Sequence, residues 1–491
     1  MENNRKNIGY KSAFKATAIF GGVEIITILV SVFRNKLAAI WIGAAGLGLM
    51  SLLNSLVHLV HSFSNLGLQS SAVKEIARVK GENDDLRLAT TIKSISWWVY
   101  AGSIVGVVLT ILLSRILSQM MFDSSDYTMQ IIVVSSVVLI QALYRQNNAI
   151  LQGCRRIKDM AKSNIVASVL SFIAVVPILY FFRADGIAST IIISAAISFL
   201  VTSFFVRKLK LPKVSISTKD RIHSGMPVVK LGVMMAISSM SSYLMLFITK
   251  IVITNWGDIA DVGLYQAGWA LNGHYLGMVF TAMSKDYFPR ISQVASDDHA
   301  LKRMLNEQAE IAVLILAPLI SGMILLMPWC IKLLYSSEFL TIVNMASLLM
   351  IGSLIKAGSW AISYIFLAKG DGKTFMINEI LSSLLGLPLY LLGYHMFGLT
   401  GIGYAFIIHY FIYFIIVYVV SMHKYKINYC HNFWILFILL TIAVTTLYLF
   451  TLYLPPWCAY IFVLLISLYS FYEINKRINV INLLHSVFKL K

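Results

Sequence analysis

The sequence predicts an all-α integral membrane protein with about 14 transmembrane helices. Of its 491 residues, 58% are hydrophobic and 13% are charged, and the mean hydropathy is +0.78. Soluble domains carry about 25% charged residues, so this chain falls outside their range. Apolar runs of about 20 residues, each long enough to cross a bilayer as a helix, recur from one end of the chain to the other.

These runs define the candidate membrane spans in order. The spans lie at 13–33, 40–64, 94–117, 127–151, 162–182, 186–206, 227–250, 261–284, 309–334, 341–368, 375–397, 399–421, 432–453 and 456–475. We expect an N-lobe at 1–210 with six spans, a C-lobe at 225–422 with six more, and a region at 423–491 with the last two spans and a tail. The basic loop around 207–226 separates the predicted lobes.

The two halves of the chain resemble each other. The stretch WIGAAGLGLMSLLNSLVHLV (41–60) follows the first span as WGDIADVGLYQAGWALNGHYLG (256–277) follows the seventh. Both contain a Trp, several glycines and a Gly-Leu pair. Because six is an even number of spans, both halves enter the membrane from the same side, which predicts parallel lobes related by an axis along the membrane normal.

The distribution of basic residues predicts the orientation. The net charge is +18, and by our count 32 of the 40 Lys and Arg residues fall on the side of the N-terminus. The positive-inside rule therefore places both termini in the cytoplasm and explains the charge without a nucleic-acid partner. The four cysteines lie far apart with no CxxC pair, so we expect no disulfide framework, structural metal or cofactor.

Eight basic residues remain within or beyond the predicted spans: Arg34, Lys36, Arg115, Arg145, Arg183, Lys250, Lys332 and Lys356. Lys356 shares a helical face with Ser353, Ser359, Trp360 and Ser363, since these positions are three, four or seven residues away. Arg145 in the fourth span likewise shares a face with Gln141, Asn148 and Gln152. If the repeat holds, the fourth and tenth spans correspond, and each lobe supplies one intramembrane cation.

Other spans also carry polar faces. Arg34 and Lys36 lie near the outer end of the first span, and Lys250 lies at the end of the seventh. The second span carries Ser51, Asn54, His58, His61 and Asn65 at a spacing of three or four residues. Glu24 is the one carboxylate that we place deep in a span. Because lipid-exposed charges are rare, these faces predict a hydrated, cationic cavity between the lobes and a substrate that is at least partly anionic.

Simpler roles compete with each of these assignments. Lys356 and Arg145 could pair with carboxylates or backbone carbonyls to fix helix packing. Arg34, Lys36 and Lys250 could extend to the outer interface of the membrane. His58 and His61 could be packing residues, while Glu24 could hold a coupling ion or neutralise an internal cation.

Three passages resemble Wzx-type O-antigen and polysaccharide flippases. They are LAAIWIGAAGLGLMSLLNSLVHLVHSFSNLGLQSSAVKEIAR (37–78), LLYSSEF (333–339) and GSLIKAGSWAISYIFLAKGDGKTF (352–375). They are most similar to the branch that includes the enterobacterial common antigen flippase, within the multidrug/oligosaccharidyl-lipid/polysaccharide (MOP) exporter superfamily. The LIKAG context matches a lysine of that branch, so the resemblance implies a cavity role for Lys356. The last two spans are more like those of the fourteen-helix lipid II flippases.

The resemblance implies an activity and a location. Such a flippase moves an undecaprenyl-diphosphate-linked oligosaccharide from the cytoplasmic to the periplasmic leaflet of the bacterial inner membrane by alternating access. Lys356 and Arg145 would contact the diphosphate or acidic sugars, Gln141 and Asn148 would line the cavity, and the outer cations would shape its exit. Glu24, His58 and His61 would be candidates for H⁺ or Na⁺ coupling. A polysaccharide polymerase and a chain-length regulator would be partner proteins.

Two other classes remain as alternatives. A multidrug or cation antiporter of the same superfamily shares the fold, but we would expect carboxylates in its cavity rather than mainly cations. A membrane glycosyltransferase or O-antigen polymerase is the enzyme alternative. Such enzymes commonly have a long periplasmic loop, whereas the outward loops predicted here have about ten residues or fewer. The sequence contains no HExxH, GxSxG or Walker A motif.

Overall fold

The computed structural model describes residues 2–65, 67–82, 84–212, 214–215 and 217–478. Side chains are described from Thr27 onward, except at residues 28 and 70 and at several positions between 223 and 235. Every regular element in this part of the chain is helical, which confirms the predicted all-α class. The α-helices are α1 (Glu2–Asn65), α2 (Leu68–Gly81), α3 (Asp85–Leu112), α4 (Ser114–Phe122), α5 (Thr128–Gly153), α6 (Ile157–Phe182), α7 (Ile187–Arg207), α8 (Thr218–Trp256), α9 (Ile259–Gln293), α10 (Asp298–Leu334), α11 (Val343–Ala368), α12 (Gly372–Tyr425), α13 (His431–Tyr453) and α14 (Pro456–Ile478).

Ten segments of the described chain are long and apolar enough to cross a membrane. Two of them, Ile157–Arg207 and Gly372–Tyr425, each contain two of the predicted spans. The first predicted span lies on α1, largely before the segment Leu29–Asn65 that belongs to the ten. The eighth lies on α9, which is not among the ten because polar residues such as Asn272 and His274 lower its hydropathy.

Two of the long helices contain a break at a glycine. Gly43 (φ 62°, ψ −167°) interrupts α1 near the start of the second predicted span, 40–64. Gly398 (φ 58°, ψ −143°) interrupts α12 between the eleventh and twelfth. A positive φ is accessible to glycine but strained for residues with a Cβ atom. Each glycine therefore lets the chain leave one span and enter the next with almost no loop.

The structure divides into two compact units. Unit 1 comprises Met1–Gly263 with Leu334–Ser336, and unit 2 comprises Leu264–Leu333 with Ser337–Lys491. Helix α8, which belongs to the predicted C-lobe, packs in unit 1 against α1, α2 and α3. The limits of the predicted lobes, 1–210 and 225–422, stay a prediction about the sequence repeat.

Helix α2 covers the core of unit 1. Its apolar face (Leu68, Ala72, Ile76 and Val79) is buried against side chains of α3, α5 and α8. Its charged face is exposed, and Arg78 forms ion pairs with Glu75 at 2.5 Å and Glu82 at 2.6 Å. Amphipathic periodicity in α2 therefore reflects packing against the protein itself.

Two glycines permit a close helix crossing within unit 1. A Cβ atom on Gly48 of α1 would lie 1.8 Å from the carbonyl oxygen of Ile259, at the start of α9. A Cβ atom on Gly263 would lie 1.9 Å from the carbonyl oxygen of Ala44. Gly48 and Gly263 both follow a Trp of the repeated sequence by seven residues. The two stretches that resemble each other in sequence thus meet here backbone to backbone.

The core of unit 2 is built on α11 and α12. Gly352 and Gly358 of α11 face the rings of Phe406 and Phe414 of α12. Tyr429 donates a hydrogen bond to the carbonyl oxygen of Gly358 at 2.6 Å. These contacts bury most of α11, the helix that carries Lys356.

The last two helices are fixed to unit 2 at one end of the bundle. The backbone N–H of Cys430, just before α13, donates to Asn306 Oδ1 at 2.7 Å. Arg477 of α14 forms ion pairs with Glu310 at 2.8 Å and with Glu473. Both α13 and α14 are therefore tied to the same part of α10.

Asp371 joins the two ends of α12. Its carboxylate accepts hydrogen bonds from Lys424 and Tyr425 at the end of the helix and from the N–H of Thr374 at its start. Burial raises the pKa of the Asp371 carboxyl, but the hydrogen bonds from Lys424, Thr374 and Tyr425 outweigh burial and hold that pKa well below its usual range.

Gly48→Ala is expected to lower the free energy of unfolding by about 2 kcal/mol, because the new methyl group clashes with the backbone of α9. Gly273→Ala on α9 is the matched control, since no atom lies within 4 Å of its Cβ position. Alanine there should gain up to about 1 kcal/mol of helix propensity. Thermal unfolding of the purified protein in detergent measures both, and equal effects of the two changes would contradict the close crossing.

Asp371→Asn is expected to reduce stability at neutral pH by about 1 kcal/mol, through the loss of charged hydrogen bonds at a partly exposed site. The folded pKa of Asp371 is lowered, so its contribution is present above the unfolded pKa of about 3.9 and is lost as pH falls through the folded value. Unfolding temperatures measured from neutral to acidic pH should therefore fall less steeply in the variant. If the unfolding temperatures of the variant and the parent fell equally with pH, that result would contradict this role of Asp371.

Candidate functional site

A row of polar residues on α1 faces the interior of unit 1. Ser51, His61 and Asn65 are buried, each with 7% or less of its surface exposed. Lys250 of α8 donates a hydrogen bond to Ser55 Oγ at 2.7 Å, although the two residues lie 195 positions apart. The ring of His58 stacks on that of Tyr243 at 6.0 Å. We call this set, with Arg145, the unit-1 polar seam.

A cavity lies at one end of the seam. It is a small pocket that is partly open to the outside. Its polar lining residues are His61, Asn65, Gln69, Arg145 and Gln146, and the rest of the lining is apolar. Arg145 Nη1 donates to Gln69 Oε1 at 3.5 Å. In the described part of the chain, no carboxylate forms an ion pair with Arg145.

Several polar atoms near the cavity have no partner within the described residues. They include Nε2 of His61, Nδ1 of His58 and Oε1 of Gln146, all of which are buried. Arg145 lines the same cavity as His61, and Lys250 donates to Ser55 on the helix that carries His58. Burying a polar atom without a partner is costly. A cation without a counter-ion, beside such atoms, is suited to receiving an anion with hydrogen-bonding oxygens.

The structure places two predicted residues away from this cavity. Gln141 and Asn148 lie on α5 with Arg145, but neither lines it. Asn148 Nδ2 donates to the backbone oxygen of Tyr144 at 3.2 Å, within its own helix. Gln69 and Gln146 line the cavity instead. Gln69 is four residues beyond Asn65 and continues the polar row of α1 onto α2, which is the one sequence signal that could have found it.

Arg34 and Lys36, the predicted outer cations of the first span, lie in different surroundings. Lys36 donates a hydrogen bond to the backbone oxygen of Tyr335, in the short segment Leu334–Ser336 that belongs to unit 1. Arg34 is partly buried, and its Nε has no hydrogen-bond partner in the described chain. Glu24 lies outside the side chains that the structure describes.

Lys356 of unit 2 is partly buried between aromatic rings. Its Nζ lies 5.2 Å from the ring centroid of Tyr410 and 5.8 Å from that of Phe280. The serines of its predicted polar face are engaged in hydrogen bonds. Ser353 donates to Asn272 Oδ1 at 2.9 Å, and Ser359 donates to the backbone oxygen of Lys356 at 2.9 Å.

Two ionisable residues of α12 lie near Lys356 and were not expected from the sequence. Glu379 accepts a hydrogen bond from the hydroxyl of Tyr413 at 3.0 Å. His409 is 2% exposed and shares hydrogen bonds with Tyr390 at 2.8 Å and Ser382 at 3.0 Å. Glu24 is therefore not the only carboxylate within a span. The position of Glu379 inside the predicted span 375–397 was its only sequence signal.

Lys250→Met is expected to leave the free energy of unfolding within about 1.5 kcal/mol of the parent, because Met preserves the volume and removes a buried charge. Ser55→Ala should cost about 1.5 kcal/mol or more, because it takes an acceptor from a buried ammonium group. Ser136→Ala, on an exposed serine of α5 that bonds only within its own helix, is the control. Thermal unfolding in detergent measures all three. A larger loss in Lys250→Met than in Ser55→Ala would show that the lysine mainly supports the fold.

The chain matches one protein-family model over residues 37–344, which is more than half of its length. That model is described as "Polysaccharide biosynthesis protein". A lipid III flippase of Escherichia coli (strain K12) is 22% identical over 416 residues, which cover 82% of this chain and 96% of the flippase. A lipid III flippase of Shigella flexneri gives the same figures.

Solved structures share the fold. The lipid II flippase MurJ, in an inward closed conformation, aligns with a TM-score of 0.70 and 15% identity over 94% of this chain and 99% of its own. An inward-facing multidrug resistance MATE family transporter of the MOP superfamily aligns with a TM-score of 0.69 and 16% identity over 82% of this chain and 98% of its own. These relatives are flippases and transporters, not enzymes.

Proposed function

Because the chain belongs to the polysaccharide biosynthesis protein family, we propose that it is a flippase for an undecaprenyl-diphosphate-linked oligosaccharide. The substrate would be the repeat unit of O-antigen or a related surface polysaccharide, moved from the cytoplasmic to the periplasmic leaflet. The lipid III flippases that match most of this chain support a lipid-linked glycan as cargo. In this proposal the protein resides in the bacterial inner membrane with both termini in the cytoplasm.

The observation that carries the proposal is the cationic interior of unit 1. Arg145 lines a cavity without a carboxylate partner in the described chain, and Lys250 is 7% exposed. Arginine binds phosphate through paired hydrogen bonds, and lysine binds it as a point charge. A diphosphate would supply the missing negative charge and the acceptors for Arg145. His61, with its unpartnered Nε2, would contribute a further polar contact.

The remaining site residues take roles that follow from their positions. Lys356 would contact the diphosphate or an acidic sugar from unit 2. Gln141 and Asn148 would be exposed to substrate in another state of an alternating-access cycle, since they do not line the cavity described here. Arg34, Lys36 and Lys250 would shape the outward end of the path. Glu24, His58 and His61 would be the candidates for H⁺ or Na⁺ coupling.

A multidrug or cation antiporter is the second candidate, since a MATE transporter shares the fold. Two observations favour the flippase. The MurJ structure aligns over 94% of this chain, compared with 82% for the MATE transporter. The unit-1 cavity has a cation and no carboxylate in its lining. Neither of these two observations favours a glycosyltransferase or a polymerase. A polysaccharide polymerase and a chain-length regulator would act as partners of the flippase.

Complementation tests the flippase proposal. In a bacterium that lacks its lipid III flippase, the parent chain is expected to restore the dependent surface glycan, because the two proteins match over most of their length. Lys356→Ala and Arg145→Ala should each lower export about tenfold or more, the effect of losing one charged hydrogen bond worth about 1.5 kcal/mol. Surface glycan is measured by immunoblot at equal protein level.

Lys373→Ala provides the matched control, because Lys373 is an exposed lysine at the start of α12. It should export as the parent does. Full export by Lys356→Ala would remove Lys356 from the substrate path. In proteoliposomes, failure of the parent chain to move any undecaprenyl-diphosphate-linked sugar across the bilayer would contradict the flippase proposal.

A further inference from the structure

A cluster of ionisable side chains lies inside unit 2, around a pair of tyrosines on α12. Tyr410 stands beside Lys356, whose Nζ is 5.2 Å from its ring centroid. Tyr413 donates its hydroxyl hydrogen to Glu379 at 3.0 Å. The two tyrosine rings are 6.3 Å apart. Lys356 and Glu379 therefore flank the same pair of rings with opposite charges.

The two charges interact without touching. No ion pair in the described chain includes Lys356 or Glu379. Through the Tyr410–Tyr413 pair, however, the two groups lie within the range over which weakly screened charges interact. Aromatic faces attract an ammonium group, and a tyrosine hydroxyl solvates a carboxylate, so both charges can persist at this separation. In a medium of low dielectric constant, opposite charges attract over several ångströms.

Besides Phe280 of α9, the groups that face this pair include His409 and Tyr413 of α12. His409 of α12 is near Lys356, but hydroxyls of Tyr390 and Ser382 occupy both of its ring nitrogens. Tyr413 faces Glu379 from the second half of α12. Glu379 itself is only partly buried. Glu379 is therefore the member of the cluster best placed to gain and lose a proton.

We propose that this cluster binds an anion and a proton together, with a phosphate-class anion at Lys356 and the proton on the Glu379 carboxylate. With Glu379 ionised, its charge compensates that of Lys356 and repels an incoming anion. Transfer of one proton from hydronium to Glu379 yields a neutral acid and water, while Lys356 stays an ammonium group. The site then carries one uncompensated positive charge for the anion.

The coupling is reciprocal, since any effect of the proton on anion affinity equals the effect of the anion on proton affinity. This inference rests on the proposed function for its substrate, the diphosphate of a lipid-linked glycan. The inference also distinguishes anion binding in unit 1 from anion binding in unit 2. The Arg145 cavity of unit 1 has no carboxylate in its lining, so anion binding there needs no such proton uptake.

Anion binding by the purified full-length chain tests the inference without any glycan. The probe is inorganic sulfate, which stays a dianion from about pH 5 to 8, a range in which histidine also titrates. The histidines near Arg145 are the same in every variant, so differences between variants report on the cluster. In the parent chain, the affinity at the Lys356 site should fall about fivefold or more as pH rises.

Glu379→Gln is expected to bind sulfate tightly at every pH, because the amide cannot ionise. Lys356→Met should lose the part of the pH dependence that arises at the Lys356 site. Glu307→Gln, at an exposed carboxylate of α10, should keep the parent profile. Tyr413→Phe removes the hydrogen bond but neither charge, so its affinity should still fall as pH rises. Should Glu379→Gln fail to fold, a Lys356→Met profile with weaker pH dependence than the parent's supports the inference, and a parent-like profile overturns it.

Two results would overturn the inference directly. One is a parent-like pH profile in folded Glu379→Gln, and the other is the absence of any sulfate affinity that depends on Lys356. The proposed function fails separately. A chain with the predicted sulfate profile that moves no lipid-linked sugar in proteoliposomes contradicts the flippase proposal alone, and a flippase with a flat profile contradicts only the proton linkage.

Discussion

The cost of a charge in hydrocarbon governs the arrangement of this protein. An ionised side chain at the bilayer centre costs about 2.5 to 3.5 kcal/mol or more, so cations within spans must face protein or water. Lys250 meets this constraint through Ser55, and Lys356 meets it through the rings of Tyr410 and Phe280. Close helix crossings make such contacts possible. At Gly48 and Gly263 the backbones of α1 and α9 can approach each other closely, because neither residue has a Cβ atom.

The two units treat their internal cations differently. In unit 1, Arg145 lines a cavity beside buried histidine and glutamine atoms that have no partner in the described chain. In unit 2, a carboxylate, Glu379, lies close enough to Lys356 for their charges to interact. A bare cation attracts anions at any proton concentration, whereas a compensated one attracts them when the carboxylate is neutral. The two internal cations, an arginine and a lysine, therefore have different electrostatic surroundings.

The helices that extend beyond the repeat are integrated into unit 2. Aromatic rings of Phe414, Tyr429, Phe433 and Trp434 pack together where α12 meets α13. Ion pairs from Arg477 tie α14 to Glu310 of α10. These contacts bury both apolar and charged groups, so α13 and α14 are part of the folded unit rather than an appended anchor. The MurJ alignment, which extends over 94% of the chain, agrees with this organisation.

The sequence by itself determined the all-α class, the membrane spans and the family resemblance, because apolar runs and short motifs are local properties. It also placed His58, His61 and Asn65 on one face, since helical spacing alone sets that. Only the tertiary structure decided which faces meet. It paired Lys250 with Ser55 and Tyr413 with Glu379, and it lined the cavity with Gln69 and Gln146 rather than Gln141 and Asn148. The reason is that packing between residues far apart in the chain sets how each helix is rotated and which helices it contacts. The periodicity of a sequence does not encode that packing.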